Sequence, residues 1–349
     1  MVDKPTKTFR QRLQSRLILF FAVMGVTGIV FIVLLYNYGN TPASSSQMEQ
    51  VVEIKPGMNL RQVSNFLANR KLLNEPSAFV LYTYLQGKQN RIQAGEYQFS
   101  PSIPPWKILE SLTNGTAILY TVTIPEGYRI TEIAELFETK GLASKESFIA
   151  ETRNQELLDA LQISSGGSLE GYLYPDTYKF PKSAGAKKIV KTLVDTFKER
   201  VQKPELMQQA KAGKLTFHEV VTLASLIEKE TGLGTERKLI SSVFHNRLVK
   251  KMRLQTDPTV IYAMSNFDGN IRKKDLSIDS PYNTYKHFGL PPGPIASPGL
   301  DSIRAAVEPE HSDFLYFVSR KNGSHQFSTN YKDHLRAIQK YQLSHRARG

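Results

Sequence analysis

One uncharged apolar run decides the plan of this chain. From Leu17 to Tyr36 no charge occurs, and only Gly25, Thr27 and Gly28 interrupt the apolar residues. Coiled as a helix at about 1.5 Å per residue, twenty residues cross a bilayer core about 30 Å thick. No second such run follows, so the chain is predicted to cross once. Lys4, Lys7, Arg10, Arg12 and Arg16 precede the run, against the single acid Asp3. Basic flanks stay in the cytoplasm, which makes residues 1–16 a cytoplasmic tail and 17–36 a transmembrane signal anchor. A cleaved signal peptide would have an apolar stretch of about 7 to 15 residues and a small-residue cleavage site. This run is longer, and Ala43 to Ser46 make a poor site, so a retained anchor is the reading taken.

The rest of the 349 residues has room for one large or two to three ordinary domains. A net charge of +13 suits nucleic acid, a membrane surface or an anionic polymer. No basic stripe interleaved with aromatics is present, and no nucleic-acid partner is expected. With no cysteine, thiolate metal sites, disulfides and cysteine nucleophiles are excluded. His218, His245, His287 and His325 are scattered, without zinc-site spacing, and read as surface or groove residues. Serine-hydrolase, P-loop and dinucleotide signatures are also missing, and neither metal nor cofactor is expected.

Residues 37–50 read as a polar linker. Beyond them a pattern repeats at an offset of seventy residues: Ile54/Ile124, Gly57/Gly127, Leu60/Ile130, Val63/Ile133, Leu67/Phe137 and Leu72/Leu142. Each copy predicts a strand, a glycine turn and an amphipathic helix. Gly95 to Phe99 alternates like a further strand, and Pro105 to Leu112 reads as a short helix. Units of this size resemble the LysM modules that bind amino-sugar glycans. A duplicated unit used only for packing fits the same pattern. Trp106 reads as a buried anchor, with a sugar-stacking platform as the alternative. The fold class predicted is α+β: a LysM-like repeated region over 51–160, a mixed α+β catalytic domain over 161–342, and a tail over 343–349.

Within the second region, Ser168 to Tyr178 concentrates three tyrosines beside Glu170 and Asp176. A sugar cleft uses such groups, and so does a rigid packed turn. Helices are predicted over 186–202, 204–212, 235–250, 300–307 and 330–342, with a hairpin over 314–319 and 326–329. The richest stretch is Val220 to Gly232. At 100° per residue Val220, Leu223, Ala224 and Ile227 form an apolar stripe, and Lys229 faces solvent. Glu228 and Glu230 fall on opposite flanks, about 160° apart. Glu230 sits one turn above Leu226 and Ile227, and Glu228 above Ala224 and Ser225. A carboxyl held against apolar side chains has a raised pKa, as a general acid near neutral pH needs. Glu230 is therefore the catalytic candidate, and Glu228 a supporting or ion-pair group. Two residues apart on one helix, they cannot flank a glycosidic bond from opposite sides. A second carboxylate, if the reaction uses one, comes from Asp257, Asp176 or Glu170; alternatively the reaction needs only one.

Six motifs follow in order: Leu169–Tyr178, Ala224–Thr231, Val243–Leu248, Leu254–Tyr262, Tyr282–Tyr285 and Gly289–Gly293. Together they resemble the endolytic murein transglycosylase (YceG-like) family, over roughly Val51 to Tyr341. The sequence departs at Lys251, where relatives usually carry Gly, and at Ser297, often Asn or Thr. The resemblance implies a lyase cutting nascent peptidoglycan strands internally, with Glu230 essential. It implies a periplasmic catalytic domain on a single-pass inner-membrane anchor, peptidoglycan strands as substrate, and peptidoglycan synthases as partners. Glu228, Asn246, Gln255, Asp257, Tyr262, Tyr282, Asn283 and Tyr285 are the substrate-binding candidates. A water-using muramidase with Asp257 as base, and a non-catalytic glycan-binding scaffold, are the alternatives.

Overall fold

The computed structural model describes residues 9–163 and 167–343. Asp3, Lys4, Lys7 and the tail from 344 lie outside them. The chain forms two compact units. One takes in residues up to Leu119 with Pro181–Ser183, and the other comprises Tyr120–Phe180 and the residues from Ala184 onward.

Unit 1 begins with α1 (Phe9–Asn40), in which Arg16–Asn40 has a mean hydropathy of 2.9 and no residue of its most apolar stretch is buried. By length and composition it can cross a membrane. The helix outruns the apolar segment and docks. The Tyr38 hydroxyl donates to the Glu75 carbonyl at 3.0 Å. A Cβ on Gly39 would lie 2.9 Å from the Tyr82 ring, so only glycine permits that approach. The segment expected to be a linker lies along the unit: Ser44 N donates to Pro101 O at 3.0 Å, and Ser102 N to Ser46 O at 3.1 Å.

There follow β1 (Gln50–Ile54), α2 (Leu60–Asn69), α3 (Pro76–Leu85), β2 (Gly95–Phe99) and α4 (Pro105–Asn114). The strands pair antiparallel with Val52 opposite Tyr97. Asn59 starts α2 through a reciprocal cap with Gln62, which satisfies two amides at the helix end. Val63, Leu67, Leu72, Phe79 and Ile108 fill the core. Trp106 is not a buried anchor: it stands 41% exposed, because Pro105, not Trp106, takes the inward position in the first turn of α4.

Unit 2 opens with the second copy: β3 (Tyr120–Thr123), α5 (Ile130–Thr139), α6 (Lys145–Glu151), α7 (Gln155–Ala160) and β4 (Thr177–Phe180). β3 and β4 pair antiparallel, Val122 opposite Tyr178. Both copies thus close strand–helices–strand. Gly57 and Gly127 turn at φ +85° and +76°, and the first helix of each copy stops on a left-handed residue, Lys71 or Gly141. The paired positions Ile54/Ile124, Val63/Ile133, Leu67/Phe137 and Leu72/Leu142 are all buried. Because each copy carries its own core, the units divide between Leu119 and Tyr120, and residue 160 lies inside unit 2. The tyrosines of the Ser168–Tyr178 stretch are core residues. The Tyr178 hydroxyl donates to Tyr174 O at 2.7 Å, and the Tyr172 hydroxyl meets His218 Nδ1 at 2.8 Å.

The remainder comprises α8 (Gly185–Val201), α9 (Pro204–Ala212), α10 (Phe217–Glu230), α11 (Arg237–Val249), α12 (Asp257–Ala263), α13 (Leu300–Val307), the hairpin β5 (Tyr316–Ser319) and β6 (His325–Ser328), and α14 (Tyr331–Ile338), which widens into a π turn over Gln339–Leu343. α10 is the hub. Every residue from Val220 to Ile227 is buried, whereas the stripe pattern left one side to solvent. Helices α11 and α13 pack on it. Its polar residues are paired inside: the Thr222 hydroxyl donates to His218 O at 2.8 Å, and Ser225 Oγ accepts from Ile295 N at 3.0 Å.

Candidate active site

The start of α10 is fixed by a capping box. The Glu219 carboxylate accepts from Thr216 N at 2.7 Å, and Thr216 Oγ1 accepts from Glu219 N at 3.2 Å. With its entry pinned and its middle enclosed, the helix has no freedom to rotate, and its last turn presents Glu228 and Glu230 in fixed directions.

Glu228 is consumed by structure. One oxygen faces Arg237 Nη2 at 3.3 Å, and the other accepts from Gly299 N at 2.9 Å. The ion pair ties α10 to α11, and the backbone bond ties it to the start of α13. Glu230 points into a cavity of about 500 Å³ that Gln255, Asp257 and Tyr285 also line. Its Oε1 accepts a short hydrogen bond from the Thr256 hydroxyl. The far wall comes from the hairpin and α14, through Tyr316 and His334.

Burial is the main force on the Glu230 carboxyl and lifts its pKa from 4.5 to about 7. The Asp257 charge pushes the same way, while Thr256 donation and the Arg247 charge oppose it. A carboxyl with this pKa is protonated in a large fraction of molecules at neutral pH and can both give and take a proton there. Asp257 opens α12 and accepts from the Tyr285 hydroxyl at 2.5 Å. Gln255 holds a left-handed backbone, φ +51°, a strained conformation for a side-chain-bearing residue beside the acid.

Arg247 escaped the motif reading, which chose its neighbour Asn246. Its guanidinium donates to Leu315 O at 2.7 Å, Leu254 O at 2.8 Å and Arg253 O at 3.1 Å. It thereby joins α11, the segment entering α12 and the hairpin around the cavity. A signal was present: Ile240, Val243, Phe244 and Arg247 fall at i, i+3, i+4 and i+7, and all four are buried. An arginine on the inward stripe demands buried partners.

Four expected residues gather at the cavity: Glu230, Gln255, Asp257 and Tyr285. Three others hold loops. The Asn246 amide donates to Ser312 O and Phe314 O. Fully buried Asn283 donates to Leu276 O and Ile278 O, and Glu228 is paired as described. Tyr262 and Tyr282 meet as tilted rings, 4.8 Å between centroids and 47° between planes, next to a different carboxyl, Glu170. That group accepts from Ile130 N at 3.1 Å and from the Tyr262 hydroxyl at 3.4 Å. Burial raises its pKa to about 7 as well. Glu170 and Tyr282 border a larger cavity of about 890 Å³, but both Glu170 oxygens serve to bind one part of the fold to another. Asp176 also serves the fold: Oδ1 accepts from Thr177 N at 2.7 Å.

A family model described as YceG-like matches residues 52–340. The chain is similar to the endolytic murein transglycosylase of Bacillus subtilis (strain 168), at 34% identity over 305 residues, 83% of this chain and 84% of that protein. It is 31% identical over 326 residues to the endolytic murein transglycosylase of Streptococcus pneumoniae (strain D39), covering 84% of this chain and 59% of that protein. The crystal structure of a yceG-like protein from Listeria monocytogenes matches with a TM-score of 0.58 at 34% identity, over 83% of this chain and 99% of that one. Matched by the family model across both units, and by relatives along more than four fifths of its length, this chain belongs to the YceG-like family.

Proposed function

We propose that the protein is an endolytic lytic transglycosylase of peptidoglycan, with Glu230 as its acid and base. Glu230 protonates the glycosidic oxygen between N-acetylmuramic acid and N-acetylglucosamine, and that bond to the muramic C1 breaks. The muramic C6 hydroxyl closes onto C1, and its proton passes to Glu230. The acid is restored and no water is consumed. One carboxyl suffices because the nucleophile belongs to the substrate. Cleavage within a nascent strand leaves a 1,6-anhydro end and limits or terminates elongation.

The observation that carries this reading is the Glu230 carboxyl itself, at the wall of an open cavity with a pKa of about 7. Gln255, Asp257 and Tyr285 contact the glycan in this reading. Asn246, Asn283 and Glu228 act by positioning the walls. Tyr262 and Tyr282 reach substrate only where a strand extends past Glu170. Helix α1 anchors the protein in the inner membrane with its N-terminus cytoplasmic and the rest periplasmic, close to newly made strands and their synthases. The strand–helices–strand copies, each closed on its own antiparallel pair, are LysM-like modules suited to glycan.

Product analysis on uncrosslinked nascent glycan tests the proposal. Wild type yields anhydro-muramic ends, and folded Glu230→Gln yields none. Full activity in that variant removes Glu230 from the chemistry. A reducing muramic end, heavier by one water, would instead assign hydrolysis, with Asp257 as the base beside Glu230.

A further inference from the structure

Helix α3 has an unusual composition for a surface helix. Pro76 to Leu85 (PSAFVLYTYL) contains no charge. Phe79 and Thr83 face the core, yet Leu81, Tyr84 and Leu85 on the other faces are 41%, 58% and 60% exposed. A helix apolar all round is ordinarily enclosed. The duplication supplies an internal comparison. The corresponding helix of the second copy, α6 (KESFIAE), buries Phe148 much as α3 buries Phe79, but carries Lys145, Glu146 and Glu151 outward. The fold of the repeat therefore does not require an apolar outer face, and something outside unit 1 does.

The neighbour of that face is α1. A cleft of about 610 Å³ lies between α1, α3 and α4, lined by Phe31, Ile32, Leu35, Tyr36, Leu85 and Trp106. Phe31 to Tyr36 end the apolar run, within about 8 Å of its outer limit at the helical rise. Trp106 and Leu85 thus stand level with the upper part of the apolar run. Lys107, next to Trp106 in the chain, is exposed. Tryptophan, tyrosine and basic residues collect where acyl chains meet headgroups. The Tyr38–Glu75 hydrogen bond and the Gly39–Tyr82 contact fix this face to the helix.

We propose that unit 1 is seated in the bilayer: the outer face of α3 and the first turn of α4 lie in the leaflet on the folded side, and lipid acyl chains fill the cleft beside α1. This rests on α1 being the membrane span. Seated so, the module binds lipid as well as carrying the anchor, and its height above the membrane is set by contacts rather than by a flexible tether.

Trp106 is the only tryptophan in the chain, so its fluorescence reports this spot alone. The full-length protein is reconstituted in vesicles of phosphatidylcholine and phosphatidylglycerol, with and without bromine on the phosphatidylcholine acyl chains. The expected result is blue-shifted emission that loses most of its intensity in brominated vesicles and resists aqueous acrylamide. The doubly substituted Leu81→Glu, Leu85→Glu protein loses much of the bromolipid effect. Acrylamide quenching without bromolipid quenching, in protein that still resists alkaline carbonate extraction, overturns the seating and leaves the span intact. Shielding from both quenchers means that a protein surface, such as a second copy, covers the face, and also overturns it. Release by carbonate removes the span and the proposal together.

Discussion

Replacing Glu230 by Gln is expected to abolish activity and, above neutral pH, to stabilise the protein. The folded protein holds this carboxyl at a pKa of about 7 instead of 4.5. Below the lower value both folded and unfolded chains carry the proton, and no difference exists. Between the two values the unfolded chain releases the proton that the folded chain keeps, so stability falls as pH rises. Above about 7 the loss is complete and constant. At about 1.4 kcal/mol per pH unit the gap amounts to about 3.5 kcal/mol at most. The carboxyl borders an open cavity, where solvent screens it, so about 2 kcal/mol is the figure to expect. Glutamine keeps an oxygen for the Thr256 hydroxyl and does not titrate. Thermal unfolding of both full-length proteins in the same detergent, at pH 4.5 and pH 8, checks this. Their midpoints should lie close together at the lower pH and separate by roughly 4–8 °C in favour of the variant at pH 8. Glu170 titrates in both proteins, and its effect cancels from the difference. A variant gaining equally at both values, or less stable at pH 8, refutes the account of Glu230 as a group ionised against its surroundings.

Two further outcomes follow from the same geometry. The acid form initiates the proposed reaction, so kcat/KM declines as pH rises through about 7. Thr256→Val removes a donor that favours ionisation and moves this limb to higher pH; an unmoved or lowered limb contradicts the role given to that hydroxyl. At Gly171, φ is +83° and an added Cβ would lie 2.4 Å from Pro294 Cβ. Gly171→Ala therefore combines left-handed strain with a clash inside the packed corner and destabilises by about 3 kcal/mol. Urea unfolding measures it, and a change below about 1 kcal/mol would show that the corner yields.

Local periodicity made much of this protein legible. The helices at Pro204–Ala212 and Leu300–Val307 lie where the pattern put them, because their caps and breakers are written in adjacent residues. Leu226 and Ile227 one turn below Glu230 gave reason to expect a raised carboxyl, since a helix fixes which residues are neighbours, and burial does raise it. Partners across the fold left no such trace. Asn246 and Asn283 look like substrate ligands by residue type, yet Asn246 satisfies carbonyls at Ser312 and Phe314, far along the chain, and Asn283 closes its own loop on Leu276 and Ile278. The far wall of the cavity, with Tyr316 and His334, is set by packing of the hairpin and α14 against the rest of unit 2. No periodicity within either element encodes it. The apolar pattern of α10 showed a stripe but not its enclosure, because Thr222 and Ser225 read as polar until their internal partners are known. The repeat was visible from spacing, whereas the division between units depended on β4 returning to β3 from more than fifty residues away.

Unit 1 is not contiguous in the chain, and this sets an order of events during synthesis. Its last piece, Pro181–Ser183, is made some sixty residues after Leu119. Only then can the Ser183 hydroxyl reach Ala94 O and the Lys182 ammonium reach Glu96. A chain emerging N-terminus first forms β1 through β2 early, but waits for all of the second copy before these bonds close. The first module is thus complete only once the second copy has been made, about fifty residues before Glu230.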